Sequence, residues 1–267
     1  MPIRKLSVRR GGNPEGAPAL FLHAGLGSAR MWVPVWTHMQ RFRLMAPNLP
    51  GHGGTGYNDW QDYQMQAVED ALSCLPQAPV HLVGHSFGAT VALRLALRHP
   101  GRVRSLTLIE PVYFVFLHDA GDAMFAQHLE AVAPLGEAFA AGDMERAAAL
   151  FLKMWNGVDL AELTPETRRV MTERMPLIRA TEPEILRPET KWRLKLSDVA
   201  HLRPPTLLML GSDTLPVIRR IHWALREVLP GAKIARVMEA GHMVPQDQPQ
   251  RVAERLKGFW GRHAARG

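Results

Sequence analysis

A single cysteine, Cys74, stands in a chain of 267 residues. No internal disulfide can form, and no cysteine pair is available to hold a metal. Long apolar runs are missing too. None approaches the roughly 20 residues that a membrane-crossing helix needs. Met1 to Arg10 has no apolar core of a secretory signal, so the cytoplasm is the expected compartment. Neither G-x-G-x-x-G after a strand nor a P-loop occurs, which argues against nucleotide cofactors. Charge of one sign is in modest excess: 32 Lys and Arg against 25 Asp and Glu, a formal +7. The arginines are spread out, as at Arg94, Arg98, Arg102 and Arg104, then Arg168 and Arg169, then Arg219 and Arg220. A solvated basic surface is expected, with neither nucleic acid nor membrane as partner. The expected partner is a small-molecule substrate, and no cofactor or metal is expected.

What is present is concentrated in a few short stretches. Val80, Leu82 and Val83 follow Pro79 and read as a short buried strand. Gly84-His85-Ser86-Phe87-Gly88 comes next, and then a helical pattern in Val91, Leu93, Leu95, Ala96 and Leu97. This is G-x-S-x-G between a strand and a helix, the setting of a nucleophile elbow. A serine on so sharp a turn projects its hydroxyl beyond the sheet edge. The residues two before and two after it must be small, because backbone passes close by. The helix that follows aims its first N–H groups at the same place, where negative charge on a substrate oxygen would be stabilised.

A serine nucleophile needs a base, and the base needs an orienting acid. Among 12 histidines, His242 stands out by its setting in Glu239-Ala240-Gly241-His242-Met243. That loop follows the strand-like Lys233 to Met238 and precedes a helix over Asp247 to Trp260. Asp213 follows the apolar run Pro205 to Leu210 in a matching strand-to-helix loop. The order Ser86, Asp213, His242 is the order of this elbow architecture, so Asp213 is read as the acid. Glu110, at the end of the strand Ser105 to Ile109, is the alternative acid.

On these residues the chain resembles the α/β-hydrolase superfamily along nearly its whole length. Phe21-Leu22-His23-Ala24-Gly25-Leu26-Gly27 resembles the family's His-Gly loop, with Ala24 where the first Gly usually stands. The resemblance implies that the backbone N–H groups of Gly25 and Phe87 form the oxyanion hole. Trp32 matches an aromatic often found a few residues on. Pro50-Gly51-His52-Gly53 resembles a structural turn of the family, and His23, His52 and His85 are read as loop-holding residues.

The order of strands and helices predicts an α/β fold: a mainly parallel sheet flanked by helices. Expected strands are Ile3 to Arg9, Ala19 to His23, Leu44 to Pro47, Val80 to Gly84, Val103 to Ile109, Thr206 to Leu210 and Lys233 to Met238. Between Pro111 and Lys191 the pattern turns helical, with segments at Ala123 to Ala141, Asp143 to Trp155, from Thr164, and over two or three turns from Glu182 to Glu189. This divides the chain into a hydrolase core, 1–112 and 191–267, and an all-helical cap, 113–190. Trp32, Phe116 and Trp155 are the candidate pocket residues. The expected activity is hydrolysis of a small carboxylic ester or related acyl substrate through an acyl-enzyme. The alternatives are a C–C bond hydrolase, a lactonase or an acyltransferase of the same fold, or a non-catalytic hydrolase-like binding protein. An elbow serine argues against epoxide hydrolase and dehalogenase chemistry, which resembles it but uses Asp there.

Overall fold

The computed structural model describes residues 5–58 and 62–263. Its strands are β1 (Val8–Gly12), β2 (Pro18–Leu22), β3 (Arg43–Pro47), β4 (Val80–His85), β5 (Val103–Ile109), β6 (Thr206–Gly211) and β7 (Lys233–Val237). They form one sheet in the order β1-β3-β2-β4-β5-β6-β7. β1 is antiparallel to β3, and all the other neighbours are parallel.

All the strands but the first fall within a residue of the apolar runs that predict them. The expected Ile3 to Arg9 strand is corrected to Val8–Gly12. Ile3 and Arg4 lie outside the described residues, and Lys5 to Ser7 are not strand. β1 is an edge strand that pairs only with β3. An edge need not bury both faces, so Arg9 and Arg10 are tolerated there and hydrophobicity does not mark it.

The central strands sort their side chains by alternation. Leu20, Leu22, Leu82, Leu106, Leu108 and Leu208 enter one core. The helices α1 (Tyr63–Ser73), α2 (Phe87–Arg98) and α8 (Pro216–Val228) supply its other side. Ala19, Phe21, Val83, Ile109, Leu207 and Met209 enter a second core on the opposite face. That core is closed by α9 (Pro249–Arg262), whose Trp260 meets Phe21 and Phe42 edge-on. Burial on both faces is why these strands read as continuous apolar runs.

Between β5 and β6 lie only helices: α3 (Val115–Asp119), α4 (Met124–Ala140), α5 (Met144–Asn156), α6 (Pro165–Arg179), α7 (Glu182–Ile185) and short turns. The Asp143 side chain caps α5 by accepting from the Arg146 N–H, and Gly157 ends it at φ 68°. Thr164 caps α6, with Pro165 in its first turn. The expected turns to Glu189 are corrected to the single turn of α7. Pro188 has no N–H to continue a helix and disfavours helical backbone at Arg187.

Two partly buried ion pairs tie this region down. Arg193 grips both carboxylate oxygens of Asp119 at 2.6 and 3.0 Å. Arg94 of α2 pairs with Glu184 of α7, whose side chain also accepts from Tyr113 Oη at 3.1 Å. α6 lies directly on the loops of the core: a Cβ on Gly25 would come within 2.8 Å of Ile178 Cδ1.

Candidate active site

β4 and α2 meet at Ser86, which has φ 54° and ψ −120°. A non-glycine residue with positive φ is strained. The surroundings hold it there. A Cβ on Gly84 would lie 2.2 Å from the Gly88 carbonyl oxygen, and one on Gly88 would lie 2.4 Å from the Leu22 carbonyl oxygen. Both positions therefore require glycine, as the motif implies. The Ser86 N–H donates to the Ile109 carbonyl at 2.9 Å, fixing the elbow to the end of β5.

His242 comes from the loop after β7. Its Nε2 lies 3.0 Å from Ser86 Oγ. Its Nδ1 lies 3.0 Å from Glu110 Oε2. The expectation that Asp213 orients His242 is thus corrected. The Asp213 carboxylate accepts from the Ser212 hydroxyl at 2.9 Å, its N–H donates to the Ala240 carbonyl at 2.9 Å, and its side chain is exposed. Glu110 is fully buried at the end of β5, with φ 50°. It also accepts from the Gly211 N–H at 2.8 Å and from the Thr214 hydroxyl. The β6 loop that carries Asp213 therefore holds Glu110 in place through Gly211 and Thr214.

Burial governs the electrostatics. It pushes the Glu110 carboxyl up to about 7, against the pull of the Thr214 and Gly211 hydrogen bonds. Burial pushes His242 down, keeping the imidazole neutral and able to accept a proton. Two groups 3.0 Å apart exchange protons as a unit. With Glu110 ionised, Nδ1 of a neutral His242 carries the hydrogen, and Nε2 presents a lone pair to Ser86.

Two backbone donors flank Ser86. Gly25 and Phe87 both line the cavity in front of it. Among the described residues neither N–H has a protein acceptor. The surrounding histidines hold loops. His23 Nε2 accepts from the Leu49 N–H at 2.8 Å, so its Nδ1–H donates to the Ala24 carbonyl at 2.8 Å. His52 Nδ1 donates to the Pro50 carbonyl at 2.9 Å. His85 Nε2 donates to the His242 carbonyl at 2.8 Å, which steadies the loop that carries His242.

A cavity of about 290 Å³ opens above Ser86 under the helices between β5 and β6. Its wall is mainly apolar, with Val112, Phe114, Phe151, Trp155, Ile178 and Ile185. Trp155 lies here as expected, its ring 4.7 Å from that of His242. Trp32 and Phe116 do not line it. Trp32 is fully buried beneath the sheet, 5.1 Å from the Phe21 ring. Phe116 is stacked on Tyr113 at 4.4 Å inside the other core. Neighbours distant in sequence decide both orientations. His128, which also lines the cavity, has no motif to mark it. Its only sequence signal is its spacing from Val132 and Gly136 on one face of α4.

Strand order, elbow and buried relay together define an α/β-hydrolase, and the comparison with known proteins agrees. The model of the alpha/beta hydrolase family matches residues 19–255, and the chain belongs to that family. A pimeloyl-(acyl-carrier protein) methyl ester esterase of Aromatoleum aromaticum is 32% identical over 240 residues, covering 84% of this chain and 90% of that protein. Lipase LipV of Mycobacterium tuberculosis is 34% identical over 111 residues, 41% of this chain and 42% of LipV. Among solved structures, a hydrolase from Pseudomonas aeruginosa PA01 superposes with a TM-score of 0.73 at 22% identity, covering 97% of this chain and 95% of the other. Naproxen esterase from Bacillus subtilis gives a TM-score of 0.67 at 21% identity, covering 97% and 88%. At such identities the structural likeness is one of fold. No helix among the described residues is long and apolar enough to cross a membrane.

Proposed function

We propose that the protein is a serine hydrolase of carboxylic esters with a predominantly apolar acyl group, working through Ser86, His242 and Glu110. The observation that carries this reading is the unbroken chain of contacts from Ser86 Oγ to His242 Nε2 and from His242 Nδ1 to Glu110 Oε2, each 3.0 Å. Ser86 attacks the ester carbonyl while His242 takes its proton. Glu110 stabilises the imidazolium and fixes the tautomer. The N–H groups of Gly25 and Phe87 receive the oxyanion. His242 then returns the proton to the leaving alcohol, and the acyl-enzyme is hydrolysed by water activated in the same way. The names of the relatives, an acyl methyl ester esterase and a lipase, support ester chemistry.

A fluorophosphonate probe followed by mass spectrometry tests the assignment. Labelling is expected at Ser86, and Ser86→Ala should lose both labelling and turnover of p-nitrophenyl esters. Labelling elsewhere, with full turnover in Ser86→Ala, would refute it.

A further inference from the structure

The acyl cavity contains a histidine that the reaction does not use and that no hydrogen bond among the described residues engages. His128 lies on α4, five per cent exposed, among apolar walls. Phe114 stacks on it at 4.0 Å, and Trp155 meets it edge-on at 6.3 Å. Among the described residues neither ring nitrogen has a protein hydrogen-bond partner. The hydroxyl and charged side chains on the wall are committed. Ser86 faces His242, the Thr181 hydroxyl donates to the Ile178 carbonyl at 2.7 Å, and Glu182 and Arg187 pair with each other at 2.9 Å. A purely alkyl ligand seated against it would leave the imidazole with neither water nor partner, which is costly, and an apolar residue would suit such a ligand better. Burial also pushes His128 down to about 4. At neutral pH it offers one N–H donor and one lone pair.

We propose that His128 is a specificity-determining residue, and that the acyl group of the substrate carries a neutral oxygen, hydroxyl or keto, which hydrogen-bonds to it. Phe114 and Trp155 fix the ring, and Trp155 also touches His242 at 4.7 Å. The oxygen is therefore read at a set distance along the chain from the scissile carbonyl. The proposal rests on the ester-hydrolase reading, and the test keeps the two apart.

The test uses matched p-nitrophenyl esters: plain straight-chain acyl groups, and the same chains with a hydroxyl or keto oxygen at each successive carbon. Wild type should favour oxygenation at one position by roughly 10- to 100-fold in kcat/KM. His128→Leu should abolish that preference and improve turnover of the plain ester. His128→Gln, which keeps a donor and an acceptor, should restore part of it. A hydroxyl favoured over a keto group at that position identifies the oxygen. Fluorophosphonate labelling of Ser86 should still occur in all three proteins. Labelling without any positional preference in wild type overturns the role of His128 and leaves the hydrolase reading intact. A preference that survives in His128→Leu overturns it too, as does a preference for a terminal carboxylate over every neutral oxygen. Absence of labelling in wild type would instead strike at the reading beneath it.

Discussion

β5 and β6 lie side by side, and each runs into a loop with a carboxylate close behind it. At the end of β5, Glu110 is fully buried, has φ 50° and accepts three hydrogen bonds. Two residues past β6, Asp213 is exposed and bonded to the serine beside it. The two positions are nearly equivalent along the chain and opposite in environment. The difference teaches that a strand end only makes a position available. Backbone conformation and burial decide which carboxylate turns toward His242.

The sharpest way to break this comparison is by activity. Glu110→Gln should cut kcat by roughly 10³- to 10⁴-fold, because an amide facing Nδ1 favours the wrong imidazole tautomer. Asp213→Asn should stay within about threefold of wild type. The reverse order, measured on one ester at saturation, would return the acid role to Asp213.

The pH profile gives the next largest effect. The base works only with Glu110 ionised and His242 neutral, so kcat/KM should fall as a proton enters the pair. With Glu110 pushed up to about 7 by burial, the acid limb is expected near neutrality with unit slope. Asp213→Asn should leave the limb in place. In Glu110→Gln it should move to lower pH, because the imidazole loses the carboxylate that favours its charged form. A wild-type rate constant down to about pH 4 would rule out this relay.

Stability separates the two carboxylates by the smallest margin. Glu110 titrates near 7 in the folded state, against about 4.5 for the free side chain. The unfolded chain gives up this proton first, so the cost of burying Glu110 grows as pH rises from about 4.5 to about 7 and is constant above. A shift of that size corresponds to roughly 3 kcal/mol, partly offset by the hydrogen bonds that Gln would weaken. Glu110→Gln should therefore melt a few degrees higher than wild type at pH 8, and the gap should shrink toward pH 5. Asp213→Asn should change Tm little at either pH. Equal melting temperatures for wild type and Glu110→Gln at pH 8 would mean that the buried charge costs nothing.

Much of this was legible in the sequence, for identifiable reasons. Gly84 and Gly88 are required by backbone contacts within the elbow itself, so the motif alone locates Ser86. The central strands read clearly because both faces are buried. Orientation was not legible. Glu110 and Asp213 share the context of a strand end, and only the φ of Glu110 and its grip by Gly211 and Thr214 distinguish them. Trp32 follows the loop motif closely yet turns under the sheet, where the rings of Phe21 and His85 meet it. β1 escaped because an edge strand does not need an apolar pattern. His128 escaped because its meaning depends on partners that it lacks.

The bond from the Ser86 amide to the Ile109 carbonyl has a mechanical consequence. Ser86 and Glu110 directly follow two strands paired in register, His85 opposite Ile109, at the centre of the sheet. Their separation changes only if the most protected part of the molecule opens. His242 belongs to a loop, tethered through its own carbonyl to His85. The relay thus joins two grades of backbone, one that yields only with the whole fold and one that can loosen alone. Mild denaturant or heat will idle the enzyme by letting the imidazole drift while the sheet amides still resist exchange, and cooling will restore it without refolding.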